Sequence, residues 1–190
     1  MRRVWNKRML SRIALACATL SPAIVGAQSQ PSGATQAPAQ GSAPTCDAPE
    51  YRQFDFWVGE WDVEVKGAPT GRPKPQSSIQ RILKGCVIFE NWMPPNGQDG
   101  KSFNVYNRQT KKWEQTWVDS SGGVIHFTGE ARDGNMYYTT EYLDAKGQKV
   151  QGKMAYFPQG PDRVRQLWEQ SSDGGKTWTV AFDGIYIRKK

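Results

Sequence analysis

Short turn motifs interrupt residues 46–190 at close intervals, and this spacing limits what the chain can fold into. Most of the motifs combine glycine with asparagine, aspartate, serine or proline, the residues that tight turns favour. They occur at 96–97, 99–100, 107–110, 120–123, 133–135, 146–147, 159–161, 173–175 and 183–184. The runs beside them are rich in β-branched and aromatic residues: 61–66, 77–83, 86–93, 102–106, 112–118, 124–131, 136–143, 149–157, 163–170, 177–182 and 185–188. No run keeps a helical period, and the one helical candidate is a single turn at 51–57.

This succession of short strands predicts an all-β fold, a single antiparallel up-and-down β-barrel of about 8–10 strands. Strands joined by tight turns form a meander, in which each strand pairs with its neighbour along the chain. An open meander exposes the unpaired N–H and C=O groups of two edge strands, and closing the sheet removes both edges. We therefore expect residues 46–190 to form one barrel domain.

Two of the predicted strands carry aromatic and amide side chains on the same face. Because side chains alternate along a strand, Gln115 and Trp117 share one face of the run at 112–118. Gln166 and Trp168 share a face of a later run. A packed core is mostly aliphatic, whereas amides beside indoles are typical of a lined cavity. The same rings could also fill the barrel, so the sequence leaves a packed barrel open as an alternative.

The predicted ligand contacts are indole rings, which supply apolar area, and amide or imidazole groups, which supply directed hydrogen bonds. They are Trp92, Gln115, Trp117, His126, Gln166 and Trp168. This mixture favours a small, partly polar ligand over a fatty acid, which needs a continuous aliphatic lining. The faces of Trp92 and His126 depend on register, because one bulge would reverse either. A cavity of roughly 300 Å³ or more would favour binding, and a filled barrel would favour a structural role.

The first 45 residues are predicted to lie outside the barrel. Residues 1–12 carry basic residues and no acid, 13–25 are mostly apolar, and 25–27 place small residues at a cleavage site. This order is typical of a secretory signal peptide, here residues 1–27. Residues 28–45 contain no charge and no aromatic ring, which predicts a disordered linker. We expect a periplasmic or secreted protein with no stable membrane insertion.

The positive charge of the chain belongs mostly to the predicted signal. The whole chain has 25 Lys and Arg against 18 Asp and Glu, for a net charge of +7. Removing residues 1–27 removes 5 basic and no acidic residues, so 20 against 18 remain, a net charge of +2. No block of like charge is left, and we expect no nucleic-acid partner. The sequence does not indicate an oligomeric state.

Two of the three cysteines, Cys46 and Cys86, lie after the predicted signal. An even number of cysteines in an exported protein usually forms disulfides, so this pair is predicted to be bonded. Two separate buried thiols are the alternative.

The segment 54–63 carries the most specific pattern in the chain. Its Gly59-Glu60-Trp61 resembles the Gly-x-Trp signature of the calycin superfamily, which includes lipocalins and fatty-acid-binding proteins. In that superfamily the tryptophan closes one end of the barrel, and a basic residue near the end of the last strand packs on it. The resemblance implies that Gly59, Trp61 and Arg188 have these structural roles here.

A longer set of motifs is similar to the DUF1579-like group of bacterial exported proteins. The motifs are Phe54 to Val63, Glu90-Asn91-Trp92, Trp113-x-Gln115-x-Trp117-Val118-Asp119 and Arg165-Gln166-Leu167-Trp168-Glu169. The resemblance covers nearly all of 51–188. It implies a lipocalin-like barrel and brings no established activity.

A single copy of the Asp-box motif lies at 171–178. Ser171, Asp173, Gly175 and Thr177 are spaced as in sialidases and other secreted β-proteins. Sialidases carry several copies on much longer chains, so we interpret this copy as a hairpin that side-chain hydrogen bonds stabilise.

The residues that carry chemistry form no complete catalytic set, so we predict no catalytic residue, no cofactor and no metal. His126 is the one histidine in the chain, and a metal site needs a cluster of ligands. An enzyme that uses a cavity carboxylate on a small molecule or sugar stays open as an alternative. Its candidates are Glu90, Asp119, Glu141 and Glu169.

Overall fold

The computed structural model describes residues 45–190. The predicted signal peptide and the predicted linker up to residue 44 lie outside the described residues. Three 3-10 turns, Pro49–Arg52, Asp55–Trp57 and Leu83–Gly85, and ten β-strands form the described part. No helix in this part has the length and apolar character that crossing a bilayer requires. The strands are β1 Gly59–Val65, β2 Gln76–Ile82, β3 Val87–Met93, β4 Gly100–Asn107, β5 Lys112–Asp119, β6 Val124–Arg132, β7 Asn135–Leu143, β8 Lys149–Pro158, β9 Arg163–Ser171 and β10 Thr179–Arg188.

The ten strands form a closed antiparallel barrel. Each strand pairs with the next along the chain, and β1 pairs with β10 to complete the circle. Closure leaves no edge strand within the sheet, so no edge presents a row of unpaired backbone N–H and C=O groups. The predicted all-β up-and-down barrel and the short helical segment before it are both confirmed.

The predicted turn at Asp183-Gly184 is wrong, because both residues lie inside the continuous strand β10. Asp183 forms a bidentate ion pair with Arg165 on β9, at 2.8 and 2.9 Å, so its carboxylate stabilises the sheet. The Phe182 ring covers Gly184, where an added Cβ would lie 2.5 Å from the ring. The glycine here marks a close approach between ring and backbone. The register shifts instead between Val180 and Phe182.

Aromatic residues plug one end of the barrel, which we call the closed end. The β2–β3, β4–β5, β6–β7 and β8–β9 hairpins turn there, and the segment that precedes β1 packs across it. Phe54 and Trp57 are fully buried, and their rings stack at 5.0 Å. Both rings also contact Tyr156, at 4.9 and 4.7 Å. We call the opposite end, where the other five hairpins turn, the mouth end.

A disulfide between Cys46 and Cys86 ties the entering segment to the β2–β3 hairpin at the closed end. The predicted pairing is confirmed. It closes a loop over a sequence separation of 40 residues. Restricting a loop of that length in the unfolded chain stabilises the folded state by roughly 3–4 kcal/mol. Disulfides are typical of oxidising, non-cytoplasmic compartments.

The β9–β10 hairpin at the mouth end has the hydrogen bonds expected of an Asp-box. Asp173 Oδ1 accepts from the backbone N–H groups of Lys176 and Thr177, both at 3.0 Å. Ser171 Oγ accepts from the backbone N–H of Gly175 at 2.9 Å. The Trp178 indole donates to the Gly175 carbonyl oxygen at 3.1 Å. These hydrogen bonds stabilise the hairpin, as the sequence predicted for this motif.

Candidate functional site

Arg188 closes the floor of the barrel over Trp61. Its guanidinium carbon lies 4.2 Å from the centroid of the fully buried Trp61 ring. Its Nη1 also donates to the Val58 carbonyl oxygen at 2.9 Å. An added Cβ on Gly59 would lie 2.1 Å from Nη1, and the φ of Gly59 is +148°. Gly59 therefore leaves room for the Arg188 guanidinium to cover Trp61 and close this end of the barrel.

A cavity of about 200 Å³ occupies the mouth half of the barrel. Its deep lining, including Glu90, Gln115, Tyr156 and Tyr186, is buried. The lining nearer the mouth is partly exposed, and Ala181 at the rim is exposed. The complete lining is Glu90, Trp92, Gln115, Trp117, Phe127, Met154, Tyr156, Gln166, Trp168, Ala181, Phe182 and Tyr186.

The volume sets the size of molecule that the cavity admits. It is below the roughly 300 Å³ that we expected to favour a binding cavity, which is the lower end of the usual range of ligand pockets. An apolar protein cavity of about 150 Å³ is large enough to hold benzene. A cavity of about 200 Å³ therefore fits one ring with a few substituents, and it is too small for a long acyl chain.

Gly100 leaves room for the Trp117 ring to pack against the backbone of the neighbouring strand. An added Cβ on Gly100 of β4 would lie 2.1 Å from the Trp117 ring, so this ring lies flat across the glycine. The Trp117 indole also donates to Asp119 Oδ2 at 3.3 Å. On the neighbouring strand β3, Trp92 pairs with Gly100, and its ring meets the Phe182 ring of β10 edge to face, with centroids 5.8 Å apart. Contact with backbone and neighbouring rings restricts these side chains before any ligand binds.

Glu90 is a buried carboxylate in the cavity lining. Ser77 Oγ donates to its Oε1 at 3.0 Å, and Ser102 Oγ donates to its Oε2 at 2.9 Å. The Tyr186 hydroxyl lies 3.4 Å from Oε1 but only 2.6 Å from Gln166 Oε1. Since a hydroxyl has one proton, Tyr186 donates it to Gln166, and two donors remain for the carboxylate.

The Glu90 hydrogen bonds continue into a network below the cavity. Asn104 Nδ2 donates to Ser102 Oγ at 3.0 Å, and Gln115 Nε2 donates to Asn104 Oδ1 at 2.8 Å. The Tyr138 hydroxyl also donates to Asn104 Oδ1, at 3.3 Å. All of these residues are buried, so the network orders the polar side of the cavity.

Burial raises the pKa of Glu90 from its ordinary value of 4.5 to about 7. The hydrogen bonds from Ser102 and Ser77, the nearby Tyr186 hydroxyl and the charge of Lys101 oppose this rise only in part. Within residues 45–190, no Lys or Arg nitrogen lies within 4.0 Å of the carboxylate. Glu90 therefore changes its charge near neutral pH.

The structure brings together all but one of the residues predicted to contact a ligand. Trp92, Gln115, Trp117, Gln166 and Trp168 line the cavity. Whether they contact a ligand stays a prediction.

The placement of His126 with these residues is wrong. Its side chain is exposed on the outer face, with Nδ1 3.1 Å from Thr116 Oγ1. Phe127 pairs with Gln115 of β5 and points into the barrel, so the alternation points its neighbour His126 outward, opposite Thr116.

Glu90 was missing from the predicted contacts, although a signal for it was present. It lies two residues before Trp92 on β3, so the two side chains share a face. The other carboxylates considered for catalysis do not join it in the lining. Glu141 and Glu169 pair with Lys149 and Lys153 on the outer surface. Among the described residues, Glu90 is the one carboxylate of the cavity, so no pair of carboxyl groups converges there.

Comparisons with known proteins leave the barrel without an assigned family: no family model matches the chain, and no curated protein is significantly similar to it.

Proposed function

We propose that this protein binds a small, partly polar organic molecule in the mouth-end cavity, and that it acts outside the cytoplasm. The observation that carries this proposal is the buried Glu90 carboxylate in an aromatic cavity that opens toward the mouth end. A barrel with a purely structural role gains most from a dry, close-packed interior. A desolvated carboxylate lowers stability unless it is paired, so its presence favours a binding role.

The contrast between the two halves of the barrel supports the same proposal. The closed-end half is filled by fully buried rings, including Phe54, Trp57 and Trp61. The mouth-end half keeps a cavity whose walls are held by contacts with backbone and neighbouring rings. Pre-ordered aromatic walls with a few directed polar groups are the usual form of a small-molecule site.

We also propose that the chain is an exported protein with a calycin-like fold. The disulfide, the closed antiparallel barrel and Arg188 over Trp61 support this proposal. The signal peptide at 1–27 and membership of the DUF1579-like group stay predictions. N-terminal sequencing of protein secreted or released from the periplasm would test the cleavage site after Ala27.

Tryptophan fluorescence during titration with a small-molecule library tests the binding proposal. We expect Trp117→Ala and Gln166→Ala to weaken binding of any hit about tenfold or more, because both side chains line the cavity. Trp178→Phe is the matched control, since this ring lies outside the lining, beside Lys153. Unchanged binding by both folded cavity variants would contradict the proposal. Native mass spectrometry of protein from its own host adds a direct search for a co-purifying ligand.

A second candidate function is proton transfer on the bound molecule. A carboxyl group with a pKa near 7 is suited to general acid–base catalysis, and Glu90 has such a pKa. Product analysis after prolonged incubation with each hit separates this candidate from simple binding. Turnover that Glu90→Gln abolishes would favour the enzyme.

A further inference from the structure

The cavity lining contains a single formal charge, and that charge is negative. Glu90 is its one carboxyl group, and none of the lining residues is Lys, Arg or His. Lys101 is the cation whose charge reaches Glu90, but its Nζ donates to Asn91 Oδ1. An ionised Glu90 therefore has no cationic partner in the lining.

Ionised Glu90 also has unused hydrogen-bonding capacity. A carboxylate offers about four acceptor positions. Ser77 and Ser102 fill one on each oxygen, and the Tyr186 proton goes to Gln166. The remaining positions suit a donor on a bound molecule, because Glu90 is part of the cavity wall.

The rings around the cavity suit a positive charge as well. Trp92, Trp117, Trp168 and Phe182 form the partly exposed wall toward the mouth. Aromatic faces carry negative electrostatic potential, and tryptophan attracts cations most strongly. An anionic ligand would meet both these rings and Glu90, so the cavity disfavours it.

We propose that the ligand of this cavity is a small organic cation, an amine or a quaternary ammonium, held between Glu90 and the surrounding indole rings. The inference rests on the proposed binding function and adds the chemical class of the ligand. The volume of about 200 Å³ limits the cation to about one ring with short substituents.

The charge of this site changes with pH because Glu90 itself gains or loses a proton near neutral pH. Four groups on three other strands surround it. Ser77 approaches from β2, Ser102 and Lys101 belong to β4, and Tyr186 belongs to β10. Burial first, and then the charge of Glu90, raises the pKa of Tyr186 well above its usual value, so this tyrosine stays neutral. The Tyr156 pKa is raised in the same way. A permanent cation should therefore bind more tightly as Glu90 loses its proton.

Calorimetric titration with benzylamine, benzyl alcohol and benzoate tests the ligand class, because the three probes have similar size and differ in charge. At about pH 8.5, above the Glu90 pKa of about 7, we expect benzylamine to bind about tenfold or more tightly than benzyl alcohol. Benzoate should bind least. At about pH 5.5 the preference for benzylamine should largely disappear, because Glu90 is then protonated. Benzyl alcohol or benzoate binding as tightly as benzylamine at the higher pH would overturn the inference.

Glu90→Gln tests whether the preference for benzylamine comes from the Glu90 carboxylate, because it removes the charge and keeps the shape of the side chain. This variant should keep only the smaller preference for benzylamine that the rings supply, and that preference should be the same at both pH values. The matched control is Glu169→Gln, which removes a carboxylate that pairs with Lys153 at 3.5 Å on the outer surface. It should keep the wild-type preference. If Glu90→Gln does not fold, the pH series on the wild-type protein decides alone.

The outcomes separate this inference from the proposed function. If neutral library compounds bind at the cavity and benzylamine does not, the cation inference falls and the binding function stands. If neither the three probes nor the library bind, both are wrong.

Discussion

The guanidinium carbon of Arg188 lies 4.2 Å from the centroid of the Trp61 ring, and the two residues face each other directly across the β1–β10 pair. Because β1 and β10 are the first and last strands, this contact lies where the sheet closes, and it covers the floor of the barrel. Gly59 leaves room for the guanidinium to reach the Val58 carbonyl oxygen.

Replacing Arg188 by Ala should lower the free energy of unfolding by about 2 kcal/mol, because a cation–π contact and a partly buried hydrogen bond are lost. Urea denaturation measures the change. Arg132→Ala is the matched control, since Arg132 lies 4.6 Å from the centre of the Tyr137 ring on the exposed surface. The Arg132→Ala substitution should lower the free energy of unfolding by less than about 0.5 kcal/mol. Equal losses would show that Arg188 has no special role in closure.

Gly100→Ala should displace the Trp117 ring and lower stability by roughly 1–3 kcal/mol, because the new methyl group overlaps the ring. A red shift of tryptophan fluorescence would accompany the displacement. In the Trp117→Ala background the same substitution should cost less than about 0.5 kcal/mol, since the overlapping ring is gone. Additive losses in this double-mutant cycle would contradict the packing of Trp117 on Gly100.

Ionisation of Glu90 should make the folded state less stable as pH rises. The pKa of about 7 in the folded state is above the ordinary value of 4.5, so the folded state binds more protons between these values. The contribution of Glu90 is fully present below about pH 4.5 and is lost as pH rises through about 7, to a total of roughly 3 kcal/mol. Urea denaturation of the wild type and of Glu90→Gln across this pH range measures the Glu90 contribution. The contribution is the difference between the two free energies of unfolding. A difference that does not change with pH would refute the assignment.

Removing the disulfide by replacing both Cys46 and Cys86 with Ser should lower the free energy of unfolding by roughly 3–4 kcal/mol. Reducing agent should destabilise the wild-type protein by a similar amount and leave the double variant unchanged. Thiol titration of denatured, unreduced mature protein should find no free thiol. Two free thiols would mean that the pair does not form in the exported protein.

Strand order and much of the cavity wall could be predicted because both depend on neighbours along the chain. Turn residues separate the strands, and alternation fixes which side chains share a face. Gln115 with Trp117, and Gln166 with Trp168, were placed together on this basis and do line the cavity. His126 was misplaced even though β6 begins at Val124 as predicted, because pairing with β5 decides which face of the strand turns inward. Phe127 pairs with the inward-facing Gln115, and His126 pairs with Thr116.

What the sequence determined by itself is therefore the all-β meander, the disulfide partners and the faces of its best-patterned strands, since local chemistry specifies each of them. Tertiary structure decided the rest. Arg165 on β9 holds Asp183 in a strand where local signals predicted a turn. Glu90 acquires its raised pKa only after closure buries it beside Ser77 of β2, Ser102 of β4 and Tyr186 of β10. Burial and contacts between distant strands exist only in the closed barrel, because desolvation depends on every strand that surrounds a group.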